Sequence, residues 1–100
     1  MVGPKPRGFW SRIGPRDYRT LRVGKRYRVT RAFVDFDGAE HAVGEEWTFV
    51  GHNYSAYDSG LSLFVSLDGE EEWHIRMLDY PDAQQPILER LGDYLVELPA

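Results

Sequence analysis

Residues 61–78 read LSLFVSLDGEEEWHIRML. Leu61, Leu63, Val65 and Leu67 alternate with Ser62, Phe64 and Ser66. After Asp68-Gly69 the alternation resumes, with Trp73, Ile75 and Met77 on one side and His74 and Arg76 on the other. Period two in aliphatic and aromatic residues marks a half-buried strand, and Asp-Gly tolerates the positive φ of a tight turn. The stretch therefore predicts a β-hairpin with Leu63, Val65, Trp73 and Ile75 buried, and it makes the protein mainly β.

The rest of the chain organises around this hairpin. KRYRVTRAFVDF (25–36) reads as a first strand with Tyr27, Val29 and Phe33 inward. Arg31 breaks its phase, which predicts a bulge or sharp bend near residues 31–34. Asp37-Gly38 predicts a turn into a short strand, EHAV, and residues 44–46 another turn into the strand EWTFVGHNY. Beyond Pro81, Ile87, Leu88, Leu91, Tyr94 and Leu95 recur at helical spacing, with Pro86 suited to a first helical position. Five short strands and one helix predict a small, strongly bent five-stranded SH3-like barrel with a C-terminal helix. Residues 1–16, with three prolines and three glycines, read as a basic arm, loosely docked and anchored by Phe9 and Trp10. Residues 17–100 form the single domain, opening with one short helical turn over 17–21.

Composition narrows the function classes. One hundred residues is about one domain. The absence of cysteine excludes disulfides, thiolate metal sites and a cysteine nucleophile. No apolar run approaches the roughly 20 residues of a membrane helix, and the N-terminus lacks the apolar core of a secretory signal. The expectation is a cytoplasmic protein with no membrane partner and no cofactor. Homo-oligomerisation is left open.

Charge is divided along the chain. Residues 1–31 hold ten Lys or Arg against Asp17 alone, or +9; residues 32–100 hold Arg76 and Arg90 against fifteen acids, or −13. Such a basic segment either lies across an acidic body, meets an acidic protein, or contacts nucleic acid.

GKRYRV, DFDG, GEEWTFVG, YDSGLSLFV and a following IRM strand, in that order, resemble a family of small bacterial proteins grouped as a domain of unknown function. The resemblance spans residues 21–95, and Gly44, Trp47, Tyr57, Asp58, Gly60 and Leu61 carry it. It implies no activity, and the basic arm lies outside it.

No constellation announces chemistry. Asp35, Asp37 and Glu46 suggest a calcium loop, but Gly38 stands at the fourth position where that loop needs glycine at the sixth, so a hairpin turn is the expected reading. His41, His52 and His74 form no ligand pair and read as polar-face histidines. Ser59, His52 and Asp58 would need tertiary convergence to form a triad. Glu70, Glu71 and Glu72 follow a turn and read as a solvated acidic edge. No phosphate-binding glycine motif occurs.

HNYSAYDSG (52–60) remains. Asp58 suits an Asx-type turn, Gly60 a positive φ, and Tyr57 either packs beneath the loop or joins an interface. The leading expectation is a noncatalytic protein-interaction or accessory module of unidentified partner, with Tyr54, Tyr57 and Asp58 as candidate interface residues. The alternative is a nucleic-acid-associated adaptor using Arg7, Arg12, Arg16, Arg26 and Arg28.

Overall fold

The alternating patterns form strands, but these do not close on themselves. The computed structural model describes residues 1–99. Its elements are β1 (Val2–Pro6), a 3₁₀ turn (Ser11–Ile13), β2 (Arg26–Val29), β3 (Phe33–Val34), β4 (Glu40–His41), β5 (Glu46–Ser55), β6 (Gly60–Ser66), β7 (Glu71–Leu78), α1 (Gln85–Leu88), α2 (Leu91–Tyr94) and β8 (Leu95–Glu97). Six strands make one sheet in the order β1-β7-β6-β5-β2-β8, and β3 and β4 pair separately.

The central hairpin is β6 against β7, in the register Leu61↔Met77, Leu63↔Ile75 and Val65↔Trp73. Leu63, Val65 and Ile75 are buried, and Trp73 is partly buried against the same core. Tyr27, Val29, Trp47 and Phe49 extend this apolar side through β2 and β5, and Leu21, Phe33, Leu88, Leu91 and Leu95 cover it. Burying such side chains is the main favourable term in folding, roughly 25 cal/mol per Å² of apolar surface.

The expected five-stranded SH3-like barrel is thus corrected to an open six-stranded sheet with a separate two-stranded ribbon. Closure would require a ladder between the two edge strands. Instead β1 meets only β7 and β8 meets only β2. Pro4 and Pro6 lack backbone N–H donors, so β1 is poorly suited to a second partner, and β8 is three residues long. The extra strands came from segments read otherwise. The arm supplies β1, and the end of the expected helix supplies β8.

That helix is two single turns. Arg90, at φ −131° and ψ 40°, leaves helical geometry between them, and Leu95 is already extended at φ −132° and ψ 141°. Leu88, Leu91 and Leu95 still reach the core. The expected first strand is also split, with β2 ending at Val29 and β3 beginning at Phe33, where the phase break predicted a bend. The expected helical turn at residues 17–21 is instead a tight reversal, with Tyr18 and Leu21 exchanging two backbone hydrogen bonds of 2.9 and 2.8 Å.

β5 bends at a register shift between Phe49 and Gly51. Its first half pairs with β2; beyond the bend, Gly14 takes up the edge by accepting the His52 N–H at 2.9 Å. The backbones touch so closely that a Cβ on Gly51 would stand 2.3 Å from the Gly14 carbonyl oxygen, so only glycine fits.

Candidate functional site

The β5–β6 connection is held from within. The Asp58 carboxylate accepts the Gly60 N–H at 2.9 Å, the Asx-type turn expected of this sequence, and this bond holds the carboxyl below its ordinary range. The positive φ falls on Ser59, at 60°, rather than on Gly60. Ser59 also accepts the Asp79 N–H at 2.9 Å, tying the loop to the segment after β7.

The two loop tyrosines differ. Tyr57 is 100% exposed, so its ring does not support the loop from beneath. Tyr54 is 44% exposed and sits opposite Leu61 in the ladder. Beside the loop lies a groove of about 390 Å³ on the face of the sheet away from the core. Asn53, Ser55, Asp58, Ser62, Phe36 and Arg76 are among the residues that line it. The Phe36 N–H donates to the Arg76 carbonyl at 2.8 Å, and the Arg76 guanidinium lies over the Phe36 ring and 3.4 Å from Asp37. Of the three candidate interface residues, only Asp58 lines this groove; Tyr54, opposite the inward-facing Leu61, lies on the other face of the sheet, and Tyr57 projects into solvent.

The ribbon carrying Phe36 is locked at its base by a buried ionic cluster. His41 is 1% exposed. Its Nε2 lies 2.8 Å from Asp35 and its Nδ1 2.6 Å from Glu45, while the Phe33 ring stacks on the imidazole. Asp35 also accepts the Asp37 and Ala39 N–H groups, and the Trp47 indole donates to Glu45 at 3.1 Å. Burial alone disfavours the imidazolium, but the Glu45 and Asp35 bonds outweigh it and raise the His41 pKa. Burial likewise opposes the Asp35 carboxylate, and the His41 and Ala39 bonds overcome it, lowering that pKa. The polar-face reading of His41 is corrected, while the turn expected after Asp35 is formed, with the Asp35 carboxylate accepting amides within it.

A second buried carboxylate fixes the N-terminal segment. Glu72 is 0% exposed. It accepts the N–H groups of Trp10 at 2.6 Å, Ser11 at 2.9 Å and Gly8 at 3.3 Å, and it pairs with Arg7 at 3.3 Å. Burial opposes its charge, but the Ser11 and Trp10 bonds prevail and lower its pKa. The solvated edge expected of residues 70–72 therefore fails at Glu72. Trp10 stacks on Phe64 with ring centres 6.2 Å apart and packs against His74 at 5.4 Å. Burial and then Arg76 lower the His74 pKa, so this imidazole favours the neutral form.

The candidate nucleic-acid residues are not gathered into one free surface. Arg7 is paired with Glu72; Arg26 and Arg28 share Glu46, at 3.6 and 2.9 Å. Arg12 and Arg16 are exposed. His52 lies 3.1 Å from the Arg16 carbonyl and packs on Tyr18, while Asp58 is engaged with Gly60, so the conceivable Ser59–His52–Asp58 arrangement is not assembled. Among the described residues no cluster of three metal-ligating side chains could hold an ion, and no helix is long and apolar enough to cross a membrane. Both ionic clusters escaped sequence reasoning: Glu72 lies about sixty residues from the segment it holds, and Asp35, His41 and Glu45 are brought together by the fold of the ribbon. Glu45 four residues after His41 was the one local signal.

Comparison with known proteins agrees with the fold. A solved integron cassette protein from the mobile metagenome of Vibrio cholerae is 32% identical, with a TM-score of 0.82, over 88% of this chain and 97% of that one. No family model and no curated protein matches the chain, so the resemblance seen in its motifs stands at the level of a small bacterial protein with a structural relative, and the specific unknown-function domain is not supported.

Proposed function

The chain belongs to one family with the integron cassette protein of Vibrio cholerae, and from that premise we propose that it is a noncatalytic interaction module. It binds a protein partner through the Tyr54–Gly60 loop and the groove beside it. The observation that carries this reading is Tyr57, a wholly exposed aromatic side chain on a loop restrained by Asp58 and Asp79. Tyrosine offers large amphipathic contact area with few rotatable bonds, and a restrained loop loses little entropy when it docks. The same features suit recognition by contact area.

The test begins with affinity capture from the native cell and continues with purified partner. Tyr57→Ala should leave the unfolding midpoint within about 0.5 kcal/mol of the parent, as for other exposed substitutions. It should weaken partner binding at least about tenfold, equivalent to about 1.4 kcal/mol. Unchanged affinity in both Tyr57→Ala and Tyr54→Ala would remove the loop from the interface.

A further inference from the structure

Residues 7–25 contain no α-helix and no named strand, only one 3₁₀ turn and the Tyr18–Leu21 reversal. Irregular segments of this length are uncommon in small domains and are usually functional or disordered. This one is not loose. Buried Glu72 grips its first part, and Gly14 continues the β5 edge. Asp17 accepts the Val23 N–H at 2.9 Å, which ties residues 16–17 to residues 22–23. Lys25 accepts the Phe49 N–H at 2.9 Å on the same side of β5. These bonds set Arg12, Arg16, Arg22 and Lys25 along one flank of the sheet.

All four side chains are exposed, and none has a carboxylate within 4.0 Å among the described residues. The basic segment thus does not neutralise itself on the acidic body. Of its ten cations, Arg7, Arg26 and Arg28 alone are paired with carboxylates among the described residues. Asp17 is the single acid in the flank, so the four cations leave it at +3. Two apolar side chains stand among them, Ile13 at 70% and Val23 at 38% exposure.

We infer that this flank is a second interaction surface, separate from the Tyr54–Gly60 loop, and that it fits an acidic protein surface. The four unpaired cations select a negative partner and would speed its encounter. One feature favours protein over nucleic acid. Ile13 and Val23 offer apolar contact that a phosphate backbone does not return. The rigid, hydrogen-bonded backbone presents the cations with little ordering cost.

The probe is poly-L-glutamate, with a mixed-sequence DNA duplex beside it, both titrated into the full chain at about 0.15 M salt, where weak surface attraction is largely screened. Polyglutamate should bind more tightly than DNA. The triple variant Arg12→Glu, Arg16→Glu, Lys25→Glu should bind it at least tenfold more weakly. A variant of equal charge change placed elsewhere, Lys5→Glu, Arg31→Glu, Arg90→Glu, should retain most of the affinity, and Tyr57→Ala all of it. Circular dichroism checks that each variant remains folded; if the triple variant does not, Arg12→Ala with Lys25→Ala replaces it, and a partial loss absent from Lys5→Ala with Arg90→Ala is expected. Equal losses in the flank and control variants would reduce the effect to net charge and overturn the surface. Binding to neither probe would overturn it too. Tighter binding to DNA would replace the acidic protein with nucleic acid. A failed Tyr57→Ala result in partner capture touches only the loop.

Discussion

The two faces of the β6–β7 hairpin are both largely covered, but by different physics. On the inner face Leu63, Val65 and Ile75 meet other apolar side chains from neighbouring strands and from α1 and α2. On the outer face Phe64, Glu72 and His74 lie beneath Trp10 and the segment around it. The inner cover is nonspecific in direction and gains from area alone. The outer cover depends on one carboxylate that satisfies three backbone donors at once. A buried charge so engaged contributes little on balance, yet leaving its partners unmet is costly, so it acts as a positioning device more than a source of stability.

Changing one residue on each face separates these roles. Leu63→Ala should cost about 2–5 kcal/mol, the range for a buried leucine truncated to a methyl group, and should lower the chemical-denaturation midpoint of the whole domain. A loss below about 0.5 kcal/mol would mean that the inner face is not the core.

Glu72→Gln keeps the volume but turns an amide nitrogen toward backbone donors. The expected cost is about 1.5–3 kcal/mol, the span for hydrogen bonds to a charged group. Its mark is local. Hydrogen exchange at Trp10 and Ser11 should quicken far more than at Ile75. Equal acceleration at both places would erase the distinction between the two faces.

The smallest effect concerns the ribbon rather than the hairpin, and it appears as a pH dependence. His41 has a folded pKa raised above its ordinary 6.5. Its contribution is therefore complete below the unfolded value and is lost as pH rises through the folded one. Asp35 and Glu72 are depressed, so theirs is present above the unfolded carboxylate values and lost as pH falls through the folded ones. Unfolding free energy should accordingly decline toward both acid and alkali. His41→Gln should flatten the alkaline decline that begins above 6.5 and weaken the part of the acid limb that Asp35 owes to His41, while the Glu72 part persists. An alkaline limb unchanged in the variant would assign it elsewhere, with Tyr27, whose pKa burial raises from 10.0, as the next group to examine.

The sequence by itself determined the central hairpin and which of its residues face the core. Alternation in LSLFVSL and EEWHIRML placed Leu63, Val65 and Ile75 inward because a pleated strand admits only two directions for a side chain. Asp58 announced its own turn, since an Asx carboxylate reaches an amide two residues on. What alternation cannot say is whether the second face is covered too. Glu72 and His41 read as outward residues; Glu72 does point outward and is buried by a segment about sixty residues away in the chain, whereas His41 shares the face of its cross-strand partner Phe33 and is buried against it. Closure was undecidable for the same reason. Whether a sheet becomes a barrel depends on what its edge strands meet, and here a proline-bearing N-terminal segment and the final turn of an interrupted helix became those edges. The loop tyrosines were legible as exposed or packed but not as which, because the ring of Tyr57 is governed by the space around it, and only the folded backbone defines that space.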